Sequence, residues 1–483
     1  MALEWLLKLT PALTLLDKPD NIIYIMYKPY FLKDVLDSSN KELFTVISTF
    51  AGGGGSSTGY RLAGGKVLCM NEFVESAQDT YKANYPNTPI LPGDIKKLKG
   101  EDFLKAAGIQ KGELDILDGS PPCSAFSVAG KREKGWKDGV VQGEWRTTFE
   151  DGAVIEVGEK NIKVSDGKKK YSDNKDVENI EDLFFEFTRI TGEIMPKVVI
   201  GENVAGIMMG TAKDYYNRIL NEFDKLGYTA VGKVLNAADY GTPQGRQRCF
   251  FIAVRNDIMD KAGLHFLTME NEVYPEPYKQ QVSLKQAIED VQNNKEEEKE
   301  LYEYVQGGFQ KKWVEILPLN PKRHTKPSEN EIRIIPKDQW PKYKEMGFQE
   351  KNAKPVASDS DTTLKQLMKT EVKHYEWDTD KEYYFVDINY KKSMFNMIRP
   401  APHLPCPTLT QRGQQKSVSG VFHYSKNRKF TIPELKRIMG LPDDYKLEGD
   451  FDKQAERIGR MVAPLMMKNL ASNIYEKVLK RTK

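Results

Sequence analysis

Short apolar runs alternate with stretches of helical periodicity between about residues 43 and 255 of this 483-residue chain. The apolar runs predict buried strands and lie at 43–50, 66–71, 114–118, 197–202 and 249–254. The stretches between them predict amphipathic helices at 74–85, 182–194 and about 215–226. Because strands that alternate with helices are typical of parallel sheets, we predict a doubly wound, largely parallel α/β fold.

Two long segments depart from this alternation. Residues 130–179 are polar and rich in glycine and lysine, which predicts a long surface loop with some hairpin. Residues from about 270 to 400 carry scattered aromatic residues and many lysines, which predicts a second domain with its own small core. Helical periodicity returns after Thr408 and runs to residue 483.

A glycine cluster at 50–59 follows the first predicted strand and precedes a helix. Glycines let the backbone turn tightly and leave the amides of a helix N-terminus facing a ligand. The cluster lacks both the ending of a Walker loop and the strict spacing of a dinucleotide fingerprint. Glu72 ends the next strand, where a carboxylate can accept hydrogen bonds from ribose hydroxyls. The glycine cluster and Glu72 together indicate that the loop binds an adenosine-containing cofactor rather than serving only as a structural turn.

Cys123 lies just after the strand predicted at 114–118, and a proline pair stiffens the backbone before it. Open α/β sheets bind their ligands at the carboxyl ends of strands. A free thiol titrates near ~8.5, so this cysteine needs nearby positive charge or amide dipoles to react. Cys69 and Cys249 lie inside apolar strands and are interpreted as inert core residues. We predict that Cys123 is a nucleophile.

A carboxylate and a set of alternating polar side chains are expected near the same sheet edge. Glu202 ends the strand predicted at 197–202, beside the end of the Cys123 strand if the sheet order is ordinary. An extended segment at 244–248 points three side chains to one face, those of Gln244, Arg246 and Arg248. Singly, these patterns are typical of a surface ion pair and a solvated strand, but together with Cys123 they predict a site.

The composition excludes several classes of function. Lysine and arginine number 72 against 69 acidic residues, so the net charge of +3 excludes a binder that acts on nucleic acid through charge alone. The four cysteines lie far apart and the five histidines form no ligand pair, so we expect neither a disulfide framework nor a metal site. The apolar start of the chain is interrupted by charges, which predicts an amphipathic helix rather than a secretory signal. We expect a cytoplasmic protein that does not contact membranes.

The order of these motifs resembles that of cytosine carbon-5 DNA methyltransferases, which use S-adenosylmethionine. The resemblance is carried by the loop at 50–59, Glu72-Phe73, Asp94-Ile95, Pro121-Pro122-Cys123, Leu183-Phe184-Phe185, Glu202-Asn203-Val204 and the arginines of 244–248. Residues 431–442 resemble the helix that supports the recognition domain of that family, through Glu434 and Arg437. The resemblance covers about 44–255 and 400–475 and implies a Rossmann-like methyltransferase sheet with a second, smaller target-recognition domain.

The resemblance implies a role for each residue of the site. Cys123 adds to cytosine, Glu202 holds ring nitrogen 3 and the exocyclic amine, and Arg248 holds the carbonyl oxygen, with Arg246 in the same catalytic set. The implied cofactor-binding residues are Phe50, Ala51, Gly52, Gly54, Gly55, Glu72, Phe73, Asp94, Ile95, Pro121, Leu183, Arg460 and Met461. The chain departs from the family pattern at Arg460, where asparagine is usual, at Ser124, where glutamine is common, and in the length of the loop after Gly130.

We therefore expect a sequence-specific DNA (cytosine-5-)-methyltransferase of prokaryotic or viral source, acting as a monomer on double-stranded DNA. A restriction–modification context implies a cognate endonuclease that acts separately. The expected domains are an N-terminal extension at 1–43, a catalytic and cofactor-binding domain at 44–265 with a long loop at about 130–180, a target-recognition domain at 266–405, and a return segment at 406–483 whose C-terminal helix completes the catalytic domain. Two alternatives stay open, a tRNA cytosine-5 methyltransferase of the same fold and a catalytically inactive DNA-binding accessory protein.

Overall fold

The computed structural model describes residues 27–122, 183–208, 212–307, 398–411 and 420–483, together with short strands outside these ranges. The helix predicted at the start of the chain lies outside the described residues, as do Cys123 and Ser124. The chain divides into two compact units. The first unit comprises Met1–Gln280, Gly440–Glu448 and Met461–Lys483, and the second comprises Gln281–Met439 and Gly449–Arg460.

The strands are short, as expected for an α/β protein. In chain order they are β1 (Leu13–Leu16), β2 (Tyr24–Tyr27), β3 (Phe44–Thr49), β4 (Gly65–Glu72), β5 (Ile90–Pro92), β6 (Ile116–Gly119), β7 (Lys169–Lys170), β8 (Asp176–Val177), β9 (Val198–Val204), β10 (Tyr228–Asn236), β11 (Gln244–Gly245), β12 (Gln247–Arg255), β13 (Asn330–Pro336), β14 (Ala353–Val356), β15 (Tyr383–Asn389), β16 (Met397–Ile398), β17 (Cys406–Pro407) and β18 (Gly420–Val421).

The α-helices are distributed over both units. They are α1 (Leu32–Ser39), α2 (Gly55–Leu62), α3 (Glu75–Asn84), α4 (Gly100–Ala107), α5 (Leu183–Ile194), α6 (Lys213–Lys225), α7 (Asn256–Ala262), α8 (Met269–Val273), α9 (Leu284–Ile288), α10 (Lys295–Gly307), α11 (Ile432–Met439), α12 (Phe451–Arg460) and α13 (Pro464–Lys477). Single 3₁₀ turns are formed by Ile95–Lys97, Ala205–Met208, Ala237–Tyr240 and Leu479–Thr482.

A seven-stranded sheet forms the centre of the first unit, in the order β10-β12-β9-β6-β3-β4-β5. The five strands β9, β6, β3, β4 and β5 are parallel to one another. Strand β12 is antiparallel to both β9 and β10. The strand order reverses between β3 and β6, because the chain builds β4 and β5 on one side of β3 before it crosses to β6. Such a reversal leaves a crevice at the carboxyl ends of the strands. The predicted doubly wound, largely parallel α/β fold is confirmed.

Helix α5 packs its apolar stripe on the sheet beneath that crevice. Phe184 and Phe187 are buried and meet edge to face at 5.8 Å between ring centroids, and Phe184 also contacts Phe251 of β12 at 5.2 Å. A Cβ at Gly119 would lie 2.5 Å from the ring of Phe187. The end of β6 is therefore a glycine because the aromatic stripe of α5 lies directly against its backbone.

Helix α2 is covered by α13 from the end of the chain. A Cβ at Gly55 would lie 2.3 Å from the carbonyl oxygen of Val462, and one at Gly59 would lie 2.6 Å from Cβ of Met467. These glycines have no side chain because the backbones of two segments approach each other closely here. The C-terminal segment is thus part of the wall behind the glycine loop.

A buried polar network holds α11 within the second unit. Glu434, 1% exposed, accepts hydrogen bonds from both terminal nitrogens of Arg428 at 2.7 Å and from Asn293 at 2.9 Å. Arg437 bonds Asp290, just after α9, at 3.0 Å. Elsewhere in this unit β13, β15 and β14 form an antiparallel sheet, in that order.

Three features differ from the sequence-based expectations. The edge strand β10 was not predicted from the sequence. The 244–248 segment is not one strand, because β11 ends at Gly245 and β12 begins at Gln247. After Thr408 the first helix among the described residues begins only at Ile432. None of the helices in the described ranges is long and apolar enough to span a membrane.

Candidate functional site

The predicted polar residues of the first unit converge on one edge of the central sheet. The parallel strands β3, β4, β6 and β9 all end at this edge, and the antiparallel β12 begins there. The glycine loop follows β3, Glu72 ends β4, Pro121 follows β6 and Glu202 lies near the end of β9. Arg248 is the second residue of β12. Parallel pairing thus brings together side chains that are far apart in the sequence.

The glycine loop leaves β3 through backbone conformations that few residues adopt. Phe50 has a φ of 51°, in the left-handed region that costs a residue with a Cβ about 1–2 kcal/mol. Gly52 and Gly54 also have positive φ, 56° and 92°. A Cβ on Gly52 would meet no atom within 4 Å, so the backbone here borders open space. Strained, open backbone of this kind is typical of a ligand-binding loop.

Glu72 ties the end of β4 to this loop. It is 8% exposed, and its Oε2 accepts a hydrogen bond from the amide of Gly52 at 2.7 Å. Its Oε1 accepts a hydrogen bond from the amide of Val74 at 2.8 Å. Since each carboxylate oxygen has two lone pairs, both oxygens keep capacity for one more donor.

Asp118 is a buried carboxylate beneath the site that the sequence did not single out. It accepts hydrogen bonds from the hydroxyls of Ser48 at 2.6 Å, Ser56 at 2.9 Å and Tyr60 at 3.0 Å. Burial raises the pKa of Asp118 to about 6, although the three hydroxyls oppose the shift. The side chain joins β3 and α2 to the strand that leads to Cys123. A charged residue at the end of an otherwise apolar strand was the available signal.

Asn203 supports the loop that precedes Cys123. Its side-chain amide donates a hydrogen bond to the carbonyl oxygen of Pro121 at 3.3 Å, and both residues are buried. The asparagine that follows Glu202 therefore links the end of β9 to the proline pair. Cys123 itself lies outside the described residues.

Glu202 and Arg248 form an ion pair across β9 and β12. Nε of Arg248 lies 3.0 Å from Oε1 of Glu202, with side chains 17% and 11% exposed. Arg248 pairs in register with Val204, two residues beyond Glu202, so the pair is diagonal on one face. Burial lowers the pKa of Arg248, and the carboxylate of Glu202 opposes that shift. The pair places a desolvated carboxylate beside a guanidinium.

Arg246 is more deeply buried than Arg248. It is 2% exposed, and burial lowers its pKa well below the usual range, with the charge of Arg248 acting in the same direction. Gln244 is also buried, whereas Gln247 is exposed. Gln244 and Arg246 are thus both buried although the strand is interrupted at Arg246, and Arg246 is enclosed more fully than Arg248.

The remaining predicted residues line or back the same edge, with one exception. Asp94 caps the turn Ile95–Lys97 by accepting from the amide of Lys96 at 3.0 Å, and Ile95 is buried. Ala51, Pro121, Leu183 and Met461 are also buried, and Phe50 and Phe73 are half-buried. Arg460 is the exception because it belongs to the second unit, where its exposed side chain pairs with Glu456 at 2.6 Å.

The cysteines of the described residues are buried. Burial raises the pKa of Cys69 to about 12, and it raises the pKa of Cys249 and Cys406 further. Thiols of this kind are almost wholly protonated near neutral pH and react slowly. Among the residues that the structure describes, no cysteine is therefore suited to nucleophilic chemistry.

The arrangement can bind the polar edge of a planar ring. A carboxyl group accepts from an amine or donates to a ring nitrogen, and the adjacent guanidinium donates to a carbonyl oxygen. In a desolvated site such groups stabilise charge that develops during a reaction better than they would in water.

The comparisons with known proteins agree with this geometry. A family model for C-5 cytosine-specific DNA methylases matches residues 44–141 and 166–476. The Type II methyltransferase M.DdeI of Desulfomicrobium norvegicum is 29% identical over 443 residues, 89% of this chain and 88% of the relative. M.Eco47II of Escherichia coli is 26% identical over 426 residues, 88% of this chain and 76% of the relative.

A solved structure shares the fold. It is a prophage-encoded protein of E. coli assigned as a DNA modification methyltransferase, with a TM-score of 0.51 and 20% sequence identity. The alignment covers 90% of this chain and 99% of that chain. The likeness extends over nearly the whole chain but speaks to the fold alone.

Proposed function

The chain belongs to the C-5 cytosine-specific DNA methylase family, and we propose that Cys123, Glu202 and Arg248 carry its reaction. The reaction is the transfer of a methyl group to carbon 5 of cytosine in DNA. The observation that carries the proposal is the buried Glu202–Arg248 pair on β9 and β12, beside the strand end that leads to Pro121 and Cys123.

The residues present fit S-adenosylmethionine as the cofactor. The backbone at Gly52 borders open space, Glu72 keeps acceptor capacity for ribose hydroxyls, and α2 begins directly after the loop. When bound, this cofactor supplies a methyl group from a sulfonium. We assign its contacts to Phe50, Ala51, Gly52, Gly54, Gly55, Glu72, Phe73, Asp94, Ile95, Pro121, Leu183 and Met461. Arg460 is also assigned to this set, but only because it occupies a position of the family's motif.

The protein's task is to make carbon 5 of cytosine nucleophilic. The thiolate of Cys123 adds to carbon 6 of the ring, which leaves carbon 5 enamine-like. Glu202 holds ring nitrogen 3 and the exocyclic amine and stabilises the adduct by proton donation. Arg248 donates to the carbonyl oxygen at carbon 2, where negative charge develops, and Arg246 belongs to the same catalytic set. Once carbon 5 carries the methyl group, its proton is lost to water and the bond between carbon 6 and the sulfur of Cys123 breaks, which restores the ring as 5-methylcytosine and releases the thiolate.

The substrate is double-stranded DNA from which the target cytosine is flipped. Flipping costs about a few kcal/mol, which contacts to phosphates and base edges must offset. We assign those contacts to residues 266–405 and to the long loop at about 130–180, and the reaction to residues 44–265 with 406–483. We further propose a cytoplasmic monomer of prokaryotic or viral source that works beside a separate restriction endonuclease. The similarity to bacterial Type II methyltransferases supports the source.

Bisulfite sequencing of plasmid DNA and of tRNA, both taken from cells that express the protein, tests this function. We expect complete protection of one cytosine within a short recurring sequence. A plasmid without any protected cytosine would favour the inactive DNA-binding alternative. Protection confined to cellular tRNA would favour the RNA-methylating alternative.

We expect the substitution Glu72→Ala to weaken cofactor binding. Charge-assisted hydrogen bonds contribute about 1.5–3 kcal/mol, so the Kd for S-adenosylhomocysteine should rise about 10- to 100-fold. Calorimetric titration measures this, with Glu75→Ala as a control that removes an exposed carboxylate at the start of α3. DNA affinity without cofactor should change little. An unchanged Kd in a folded Glu72→Ala protein would refute the placement of the ribose.

A chimera tests the assignment of sequence choice to residues 266–405. When this segment is replaced by that of a relative with another specificity, the methylated sequence should change to that of the donor. Each good base contact contributes about 1–3 kcal/mol of discrimination, so a few side chains suffice for the change. Bisulfite sequencing reads the result. A folded, active chimera that still methylates the original sequence would show that the segment does not choose the site.

A further inference from the structure

A short segment between two parts of the second unit packs within the first unit. Gly440–Glu448 follows α11 and precedes α12, yet it belongs to the first unit. The hydroxyl of Tyr30 donates to the carbonyl oxygen of Gly440 at 2.6 Å, and the amide of Asp443 donates to the carbonyl oxygen of Tyr30 at 2.9 Å. The start of the segment is thus fixed beside α1.

The other end of the segment is fixed on α3, the helix that follows Glu72. The side chain of Asn84 donates to the carbonyl oxygen of Lys446 and accepts from its amide, both at 2.8 Å. The amide of Glu448 donates to the hydroxyl of Thr80 at 3.3 Å. Because both ends are anchored, the residue between them has a defined position.

Tyr445 projects from this anchored segment onto the glycine loop. It is 2% exposed, and its hydroxyl donates a hydrogen bond to the carbonyl oxygen of Gly53 at 2.5 Å. The same hydroxyl would lie 2.7 Å from a Cβ on Gly54. The neighbouring carbonyl, that of Gly54, accepts from Thr58 at 2.8 Å. Two successive carbonyls of the loop are therefore held by side-chain hydroxyls.

We propose that Tyr445 is a positioning residue for cofactor binding, an inference that rests on the function proposed above. Consecutive glycines lose more conformational entropy on ordering than other residues. The hydroxyl of Tyr445 fixes the carbonyl of Gly53 and so orders the loop before the cofactor binds. The loss of conformational entropy therefore no longer reduces the free energy of cofactor binding. The proposed contacts of the cofactor are with the neighbouring Gly52, Gly54 and Gly55, and Tyr445 acts through the loop.

The substitution Tyr445→Phe tests this role because it keeps the ring and removes only the hydroxyl. The Kd for S-adenosylhomocysteine should rise about five- to tenfold, the effect of one buried hydrogen bond. The value of kcat at saturating cofactor and DNA should stay close to that of the wild type, because the loop is ordered once the cofactor is bound. Hydrogen exchange of peptides covering 50–59 in the cofactor-free protein should become faster.

Tyr228→Phe is the matched control. Its hydroxyl also donates from a buried tyrosine to a backbone carbonyl, that of Pro196 at 2.6 Å, but it lies away from the glycine loop. We expect unchanged cofactor affinity and loop exchange in this variant. Wild-type affinity and exchange in Tyr445→Phe, or equal weakening in both variants, would overturn the inference. A wild-type protein that fails to bind S-adenosylhomocysteine would instead overturn the proposed function, and this inference with it.

Discussion

Replacing Cys123 with serine should lower methyl transfer by about a thousandfold or more, because a hydroxyl is a far weaker nucleophile than a thiolate near neutral pH. Serine has nearly the same shape, so the loop after Pro121 and Pro122 should keep its form. DNA binding should therefore remain largely intact. Transfer of tritium from labelled cofactor to DNA measures the loss, and a gel-shift titration measures the binding.

Cys69→Ala is the matched control for that experiment. It removes a buried thiol whose pKa is raised to about 12 by burial and that takes no part in the proposed reaction. The control protein should transfer methyl groups at a rate close to that of the wild type once its folded fraction is taken into account. Activity of Cys123→Ser within tenfold of the wild type would exclude the covalent mechanism.

The substitution Glu202→Gln should lower kcat by about 10²- to 10⁴-fold, the usual contribution of a positioned proton donor or acceptor. An amide keeps the size of the side chain but cannot protonate ring nitrogen 3. It also removes the charge that faces Arg248 at 3.0 Å, so the variant should be less stable. Single-turnover methylation at saturating cofactor and DNA separates the chemical step from binding, and thermal unfolding reports the loss of stability.

Glu222→Gln provides a control for the change of charge. Glu222 pairs with Lys225 on the surface of α6, where ion pairs contribute little to stability, so activity and unfolding temperature should both stay near the wild type. A Glu202→Gln protein that is folded and methylates at the wild-type rate would contradict the role assigned to Glu202.

The sequence predicted the parts of the site that depend on local pattern. Glu72 and Glu202 were expected at strand ends, and parallel pairing places both ends at one edge of the sheet. Gln244, Arg246 and Arg248 were expected on one face, because the alternation of side chains in an extended backbone is a local property. These expectations needed only the order of the elements and the period of a strand.

The residues that support the site could not be predicted, since their partners are distant in the chain. Asp118 bonds Ser48 across 70 residues and Asn203 bonds Pro121 across 82 residues. The hydrophobic periodicity of a sequence does not predict hydrogen bonds between residues so far apart in the chain. The edge strand β10 was missed for a different reason, because it is mostly half-buried and contains Gly232 and Lys233, so its apolar run is broken. Strand β10 forms because it pairs with β12, although its own sequence pattern does not predict a strand.

The separation between Gly53 and Tyr445 also bears on how the protein is made. The two residues are 392 positions apart. A ribosome that adds about 5–20 residues per second needs roughly 20–80 s to travel from one to the other. During that time the nascent sheet can form before Tyr445 bonds the carbonyl of Gly53 and before α13 packs on α2. The protein should therefore become able to bind the methyl donor only late in synthesis, and partial chains released before Tyr445 should be unable to methylate DNA.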